Sequence, residues 1–152
     1  PQQQVLNHPV ELMDIMPTLL DAAGATIPDT VDGQSVLPII RDPQSAWRDY
    51  VHGECANVPS SNSGMQYLTN GKLKYIWLPG QDRELFFDLE NDPNELTDLS
   101  TTPTWATEIA QWRQRLIEEL ADRPEGFTDG QQLIKQDGPT TGTLPVWEQY
   151  SA

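Results

Sequence analysis

His52 and Glu54, in the run Arg48–Glu54 (RDYVHGE), are the side chains in this sequence best suited to recognising a substrate. On an extended strand, residues two apart point to the same side. An imidazole and a carboxylate would then share one face. Two readings stay open from the residues themselves. The pair can border a cleft, where His52 donates to a ligand oxygen and Glu54 accepts from a ligand hydroxyl. Alternatively it is an ordinary polar strand face, with Glu54 paired to a nearby Arg or Lys and His52 filling the sheet's edge. An H-x-E pair serves a zinc-activated water only where a P-C-x-x-C pair completes the ligand set, and none is present. Two histidines and one cysteine in the whole chain argue against any zinc site.

The acidic run Asp88-Leu89-Glu90-Asn91-Asp92-Pro93 places carboxylates at alternate positions, as a calcium loop does. Such a loop needs Gly at its sixth position and Glu at its twelfth. Those positions are Pro93 and Leu99, so the run reads as a solvated turn built on Asp92-Pro93-Asn94. No G-x-S-x-G, phosphate-binding glycine loop or dinucleotide fingerprint occurs. Trp105 and Trp112 fall on a helical stripe and read as core, and Trp77 reads as core from strand alternation. Trp47 and Trp147 are less constrained, and an exposed tryptophan can stack on a sugar ring.

The chain has 152 residues and a net charge of −14. Such a charge repels phosphate backbones, which excludes nucleic acid as a partner. It also opposes a grip on a long polyanionic glycan. No apolar run approaches a membrane span. Thirteen prolines and ten glycines imply many turns.

Several elements must position the pair. Residues 1–9 read as an irregular lead-in. Asp14 is a suitable N-cap for a helix over Ile15–Ala23, with Pro17 in the first turn and Gly24 just past the end. Ile15, Met16, Leu19, Leu20, Ala22 and Ala23 surround that helix axis, so it needs cover on several sides. Residues 25–46 are mostly connection, with a buried turn of Val36, Leu37, Ile39 and Ile40 around Pro38. A strand over 48–54 and a polar loop over 56–64 follow. Two β-prone runs, 65–69 and 72–78, flank Asn70-Gly71, which suits a type I′ hairpin turn with both central residues at positive φ. A further strand spans 84–89. Thr102-Pro103 opens a helix over 103–122, with Trp105, Ile109, Trp112, Leu116 and Leu120 as one apolar stripe. Arg123-Pro124 stops it, and residues 125–152 read as a surface tail. The fold class is α+β: about four antiparallel strands packed against one long C-terminal helix.

The stretch Val10–Gly33 (VELMDIMPTLLDAAGATIPDTVDG) resembles the segment that follows the active-site residues of sulfatases in the alkaline-phosphatase superfamily. There a "D-x-x-P-T-L-L-D-x-A-G" helix leads through a "P…DG" turn into a smaller C-terminal subdomain. The resemblance continues through Trp47-Arg48, His52-Gly53-Glu54, Gly64–Thr69, Lys74–Trp77 and Phe87–Leu96. The last is similar to "L-x-D-L-x-x-D-P-x-E-x-x-N-L", with Asp98 where Asn is common. It covers roughly residues 10–130, with the motifs in the family's order.

The resemblance implies that residues 1–42 end a large α/β domain and that 43–152 form the C-terminal subdomain, irregular from about 124. The Ile15–Ala23 helix then belongs to the larger domain. A chain that begins at Pro1 reads as a fragment. Its implied parent is bacterial, periplasmic or secreted, and cleaves sulfate esters with a formylglycine beside calcium. That nucleophile comes from a "C/S-x-P-x-R" motif. Cys55-Ala56-Asn57-Val58-Pro59-Ser60 does not fit it, so the fragment holds no catalytic residue, metal or cofactor of its own. In related bacterial sulfatases an "H-G-E-H" block begins the C-terminal sheet, and Cys55 stands at its second His. This implies His52 and Glu54 as substrate-pocket residues. The implied partner is the remainder of the parent, with self-association through the Ile15–Ala23 helix in its absence. Two alternatives are a fragment of a related phosphonate or phosphodiester hydrolase, and a stand-alone non-catalytic structural or binding module.

Overall fold

The computed structural model describes residue 3, residues 5–55 and residues 64–137. The chain divides into two compact units, Pro1–Val51 and His52–Ala152.

In the first unit a 3-10 turn over Leu12–Asp14 runs into helix α1, Ile15–Ala22. Asp14 is not the side-chain cap of α1. It closes a capping box on the preceding turn instead: Glu11 N–H donates to its carboxylate at 2.9 Å. Gln34 N–H donates to Asp14 Oδ1 at 2.8 Å, and Arg48 Nη2 at 2.6 Å. Burial alone would raise this carboxyl, but these donors outweigh it and hold its pKa below the ordinary value. Gly24, at φ +68°, ends α1 with the paired bonds of a Schellman motif, Gly24 N–H to Asp21 O and Ala25 N–H to Leu20 O. Gly33 packs directly on the Met13–Asp14 peptide. A Cβ there would overlap the Met13 carbonyl, which explains glycine at that point of the "P…DG" turn.

Leu37–Arg41 forms a short helix, α2, which buries Ile39 and leaves Ile40 38% exposed. Helix α1 is bare on much of its surface: Ile15, Met16 and Leu19 are 55%, 49% and 65% exposed, and Leu12 of the preceding turn is 84% exposed.

The second unit is built on a four-stranded antiparallel sheet in the order β1 (Val51–Cys55), β2 (Met65–Thr69), β3 (Leu73–Leu78) and β4 (Arg83–Asp88). The register pairs Leu68 with Tyr75 and Tyr75 with Phe86. These three lie on one face with Gln66, Trp77 and Glu84. Helix α3, Ala106–Glu119, entered through a 3-10 turn at Pro103–Trp105, covers that face with Ile109, Trp112, Leu116 and Ile117. Leu68, Tyr75, Trp77, Phe86, Trp112 and Leu116 are at most 1% exposed. Ile76 and Phe87, on the reverse face, are also buried.

Three further local expectations differ from the structure. The first strand starts at Val51, not at 48, because Arg48 turns away to Glu11 and Asp14. The β2–β3 turn is not type I′: Gly71 takes φ +83°, but Asn70 stays at negative φ. The Asn70 side chain closes the turn instead, with Oδ1 accepting from Lys72 N–H at 3.0 Å and Leu73 N–H at 2.8 Å. Residues 125–137 are not a loose surface tail. Phe127 is 4% exposed and meets Trp77 edge-on at 6.0 Å, and Ile134 N–H bonds back to its carbonyl. The 56–63 loop and Trp147 lie outside the described residues.

Candidate functional site

His52 and Glu54 share the helix-covered side of the sheet, and one residue joins them. Gln66 of β2 is 4% exposed and hydrogen-bonded at both ends of its amide. Its Oε1 lies 2.8 Å from His52 Nε2, and its Nε2 donates to Glu54 Oε2 at 3.1 Å. A carboxylate only accepts, so the amide must turn its nitrogen to Glu54 and its oxygen to His52. That makes His52 Nε2 the donor. The chain continues past Glu54. Arg123 Nη2 donates to Glu54 Oε2 at 3.1 Å and to Glu125 Oε1 at 2.7 Å. The Arg123 guanidinium also stands 5.9 Å from the Phe127 ring centre. The Arg123 bond holds the Glu125 carboxyl below its usual pKa, against a smaller opposing effect of burial. Glu54 is 45% exposed at its side chain, so the chain opens to solvent there.

The sequence points to His52 and Glu54 as a pair but not to Gln66, which joins them, or to Arg123, which anchors Glu54. Gln66 falls on the buried parity of β2 beside Leu68, but parity does not say that a polar residue there is a bridge. Arg123 reads as a helix stop, and its partner Glu54 lies 69 residues away, beyond any local spacing signal. Glu54 does pair with an arginine, as the structural alternative expected.

A second polar cluster is structural. On the same face the Tyr75 hydroxyl donates to Glu84 Oε1 at 2.9 Å, while Arg113 grips the carboxylate through Nε and, at 2.6 Å, through Nη2. Burial alone would raise the Glu84 carboxyl. The bonds from Arg113 and Tyr75 outweigh it and hold the pKa below the usual range. Burial, then the Glu84 charge, pushes the Tyr75 hydroxyl well above its usual pKa. A carboxyl depressed in the fold stabilises above its unfolded value, about 4.3, and that contribution fades as pH falls through the folded value. A phenol raised in the fold contributes below its unfolded value, about 10, and loses it as pH climbs. Glu84→Gln is therefore expected to cost about 1.5–3 kcal/mol at neutral pH. The gap to the parent sequence should close as the pH is lowered through the carboxylate range. Urea denaturation at neutral and acid pH reads this directly, and an equal gap at both contradicts it. Beside this cluster lies a recess of about 480 Å3, lined by Trp77, Arg83, Ser100 and Thr101 among others. Its Arg83 and Arg113 are already held by Asp98 and Glu84.

Among the described residues no three His, Cys, Asp or Glu side chains converge as a metal cluster. Two carboxylate pairs, Glu11 with Asp14 and Glu54 with Glu125, are each bridged by an arginine. In the acidic run, Asp88 and Asp92 cap their own turn by accepting backbone N–H groups, while Glu95 binds Lys74 at 3.0 Å. Cys55 is exposed at the end of β1. Trp47 is a packing residue of the first unit, its Nε1 donating to Pro9 O at 2.7 Å.

Comparison with known proteins gives one consistent answer. The family model "N-sulphoglucosamine sulphohydrolase, C-terminal" matches residues 1–122. The chain is 44% identical over 132 residues to an arylsulfatase of Clostridium perfringens, covering 87% of this chain and 27% of that protein. Among solved structures it superposes on a 2-O GAG sulfatase with a TM-score of 0.71 at 23% identity, covering 83% of this chain and 28% of the other. A phosphonate monoester hydrolase from Silicibacter pomeroyi gives a TM-score of 0.60 at 22% identity, covering 71% and 24%. The chain spans about a quarter of the length of the curated relatives it matches, 27% in the Clostridium case.

Proposed function

Because this chain belongs to the family of sulfatase C-terminal domains in the alkaline-phosphatase superfamily, we propose that it serves a sulfate-ester hydrolase by orienting substrate rather than by cleaving it. The observation that carries this reading is the His52–Gln66–Glu54–Arg123 chain. It is a pre-ordered polar set on a rigid sheet, and part of it is open to solvent. The Nε2–H of His52 is spent on Gln66, and so fixes the amide that in turn donates to Glu54. Glu54 offers a carboxylate to a substrate hydroxyl. Groups fixed in this way lower the entropic cost of positioning a substrate and perform no bond cleavage.

The nucleophile and its metal come from the remainder of the enzyme. Calcium and formylglycine would supply the charge stabilisation and the attack on sulfur there. The remainder also covers the bare face of α1, where Ile15, Met16 and Leu19 lie exposed. An apolar surface of that kind marks an interface. Without the remainder, the same face drives self-association of the chain. The 44% identity to an arylsulfatase favours a sulfate over a phosphonate ester as the parent's substrate.

The test is aryl sulfate turnover by the purified chain and by the full-length enzyme. The full-length enzyme is expected to turn over and the chain alone to be inactive and oligomeric by light scattering. Turnover by the chain alone that is abolished by Cys55→Ala would contradict this division of labour.

A further inference from the structure

The polar chain has a sign as well as a shape. Glu54 and Glu125 are anionic and Arg123 cationic, so these three groups sum to one negative charge. Its setting reinforces the sign. Seven of the nine lysines and arginines already pair with a carboxylate, against 23 Asp and Glu. Among the described residues, Arg123 is already forked between Glu54 and Glu125, so a sulfate or carboxylate placed against Glu54 would meet net repulsion from this cluster. A hydroxyl placed there finds an acceptor in Glu54.

We propose that the His52–Gln66–Glu54–Arg123 chain selects substrates in which a single sulfate is borne by an uncharged, hydroxyl-bearing alcohol, and that it rejects a second anionic group on the same molecule. This rests on the reading that the chain faces substrate. Arg123 is then a specificity-determining residue supplied just past the 1–122 family match. It halves the negative charge beside Glu54 and fixes that carboxylate's position.

The experiment compares two sugars with one skeleton, one carrying a single sulfate ester and the other a second sulfate, as substrates of the full-length enzyme. The kcat/KM for the disulfated sugar is expected to be lower by roughly tenfold at low ionic strength, and the gap to narrow as salt is added. Glu54→Gln removes one negative charge and should narrow the gap. Arg123→Gln removes the only positive charge of the cluster and should widen it. If the disulfated sugar is hydrolysed as well as the monosulfated one, while Glu54→Gln lowers kcat/KM for both, the selectivity is overturned and the substrate-facing reading stands. If neither substitution changes kcat/KM for either sugar, both are overturned.

Discussion

Trp112→Ala is expected to cost about 3–5 kcal/mol, the range for removing a large aromatic from a closed core. Trp112 is 0% exposed at the middle of the helix stripe. Its ring meets Phe86 at 6.4 Å and a 65° angle, and its Nε1 donates to Glu108 at 2.9 Å. Phe86 in turn meets Trp105 at 5.5 Å. Alanine would leave a cavity where helix and sheet join and would also unpair Glu108. The stripe residues Ile109 and Leu116 are locked by their own packing, so the hole cannot close by a simple shift. Trp112→Phe, which keeps most of the volume and loses the N–H bond, should cost clearly less. Urea denaturation followed by far-UV circular dichroism measures both. A loss below about 1 kcal/mol for Trp112→Ala would mean that the helix does not anchor the sheet.

The Trp105–Leu120 stripe and the alternation around Asn70-Gly71 each express a local period, and both produced the expected elements within a few residues. Features that depend on a particular distant partner were not legible. Asp14 has the chemistry of an N-cap, but Gln34 and Arg48 compete for its carboxylate and draw it to the turn before the helix. Asn70 can satisfy a hairpin by adopting positive φ or by bonding through its side chain, and the sequence does not distinguish the two. Phe127 sits in an aperiodic segment, so nothing local marks it as a core residue beneath Trp77.

The candidate site divides in the same way. His52 and Glu54 were visible because i and i+2 on a strand share a face. The bridge through Gln66 needs β1 and β2 to be neighbours, and the anchor at Arg123 needs the end of α3 brought back to the first strand. Both are consequences of the fold and have no counterpart in spacing. The bare apolar surface of α1 was visible, because an apolar residue at nearly every angle of a short helix demands cover from more than one side.

The substrate-orienting role makes a quantitative demand on the full-length enzyme. A group that holds the leaving alcohol contributes only when the alcohol has something to hold, so its removal should separate substrates by their remote groups. The most direct measurement is kcat/KM of His52→Ala and Glu54→Gln on a monosulfated sugar and on a small aryl sulfate without hydroxyls. The expected fall is about 10- to 100-fold on the sugar and less than about threefold on the aryl sulfate. Equal losses on both substrates, or loss of soluble enzyme with unchanged kinetics in what remains, would contradict it and leave the pair as a structural face of the sheet.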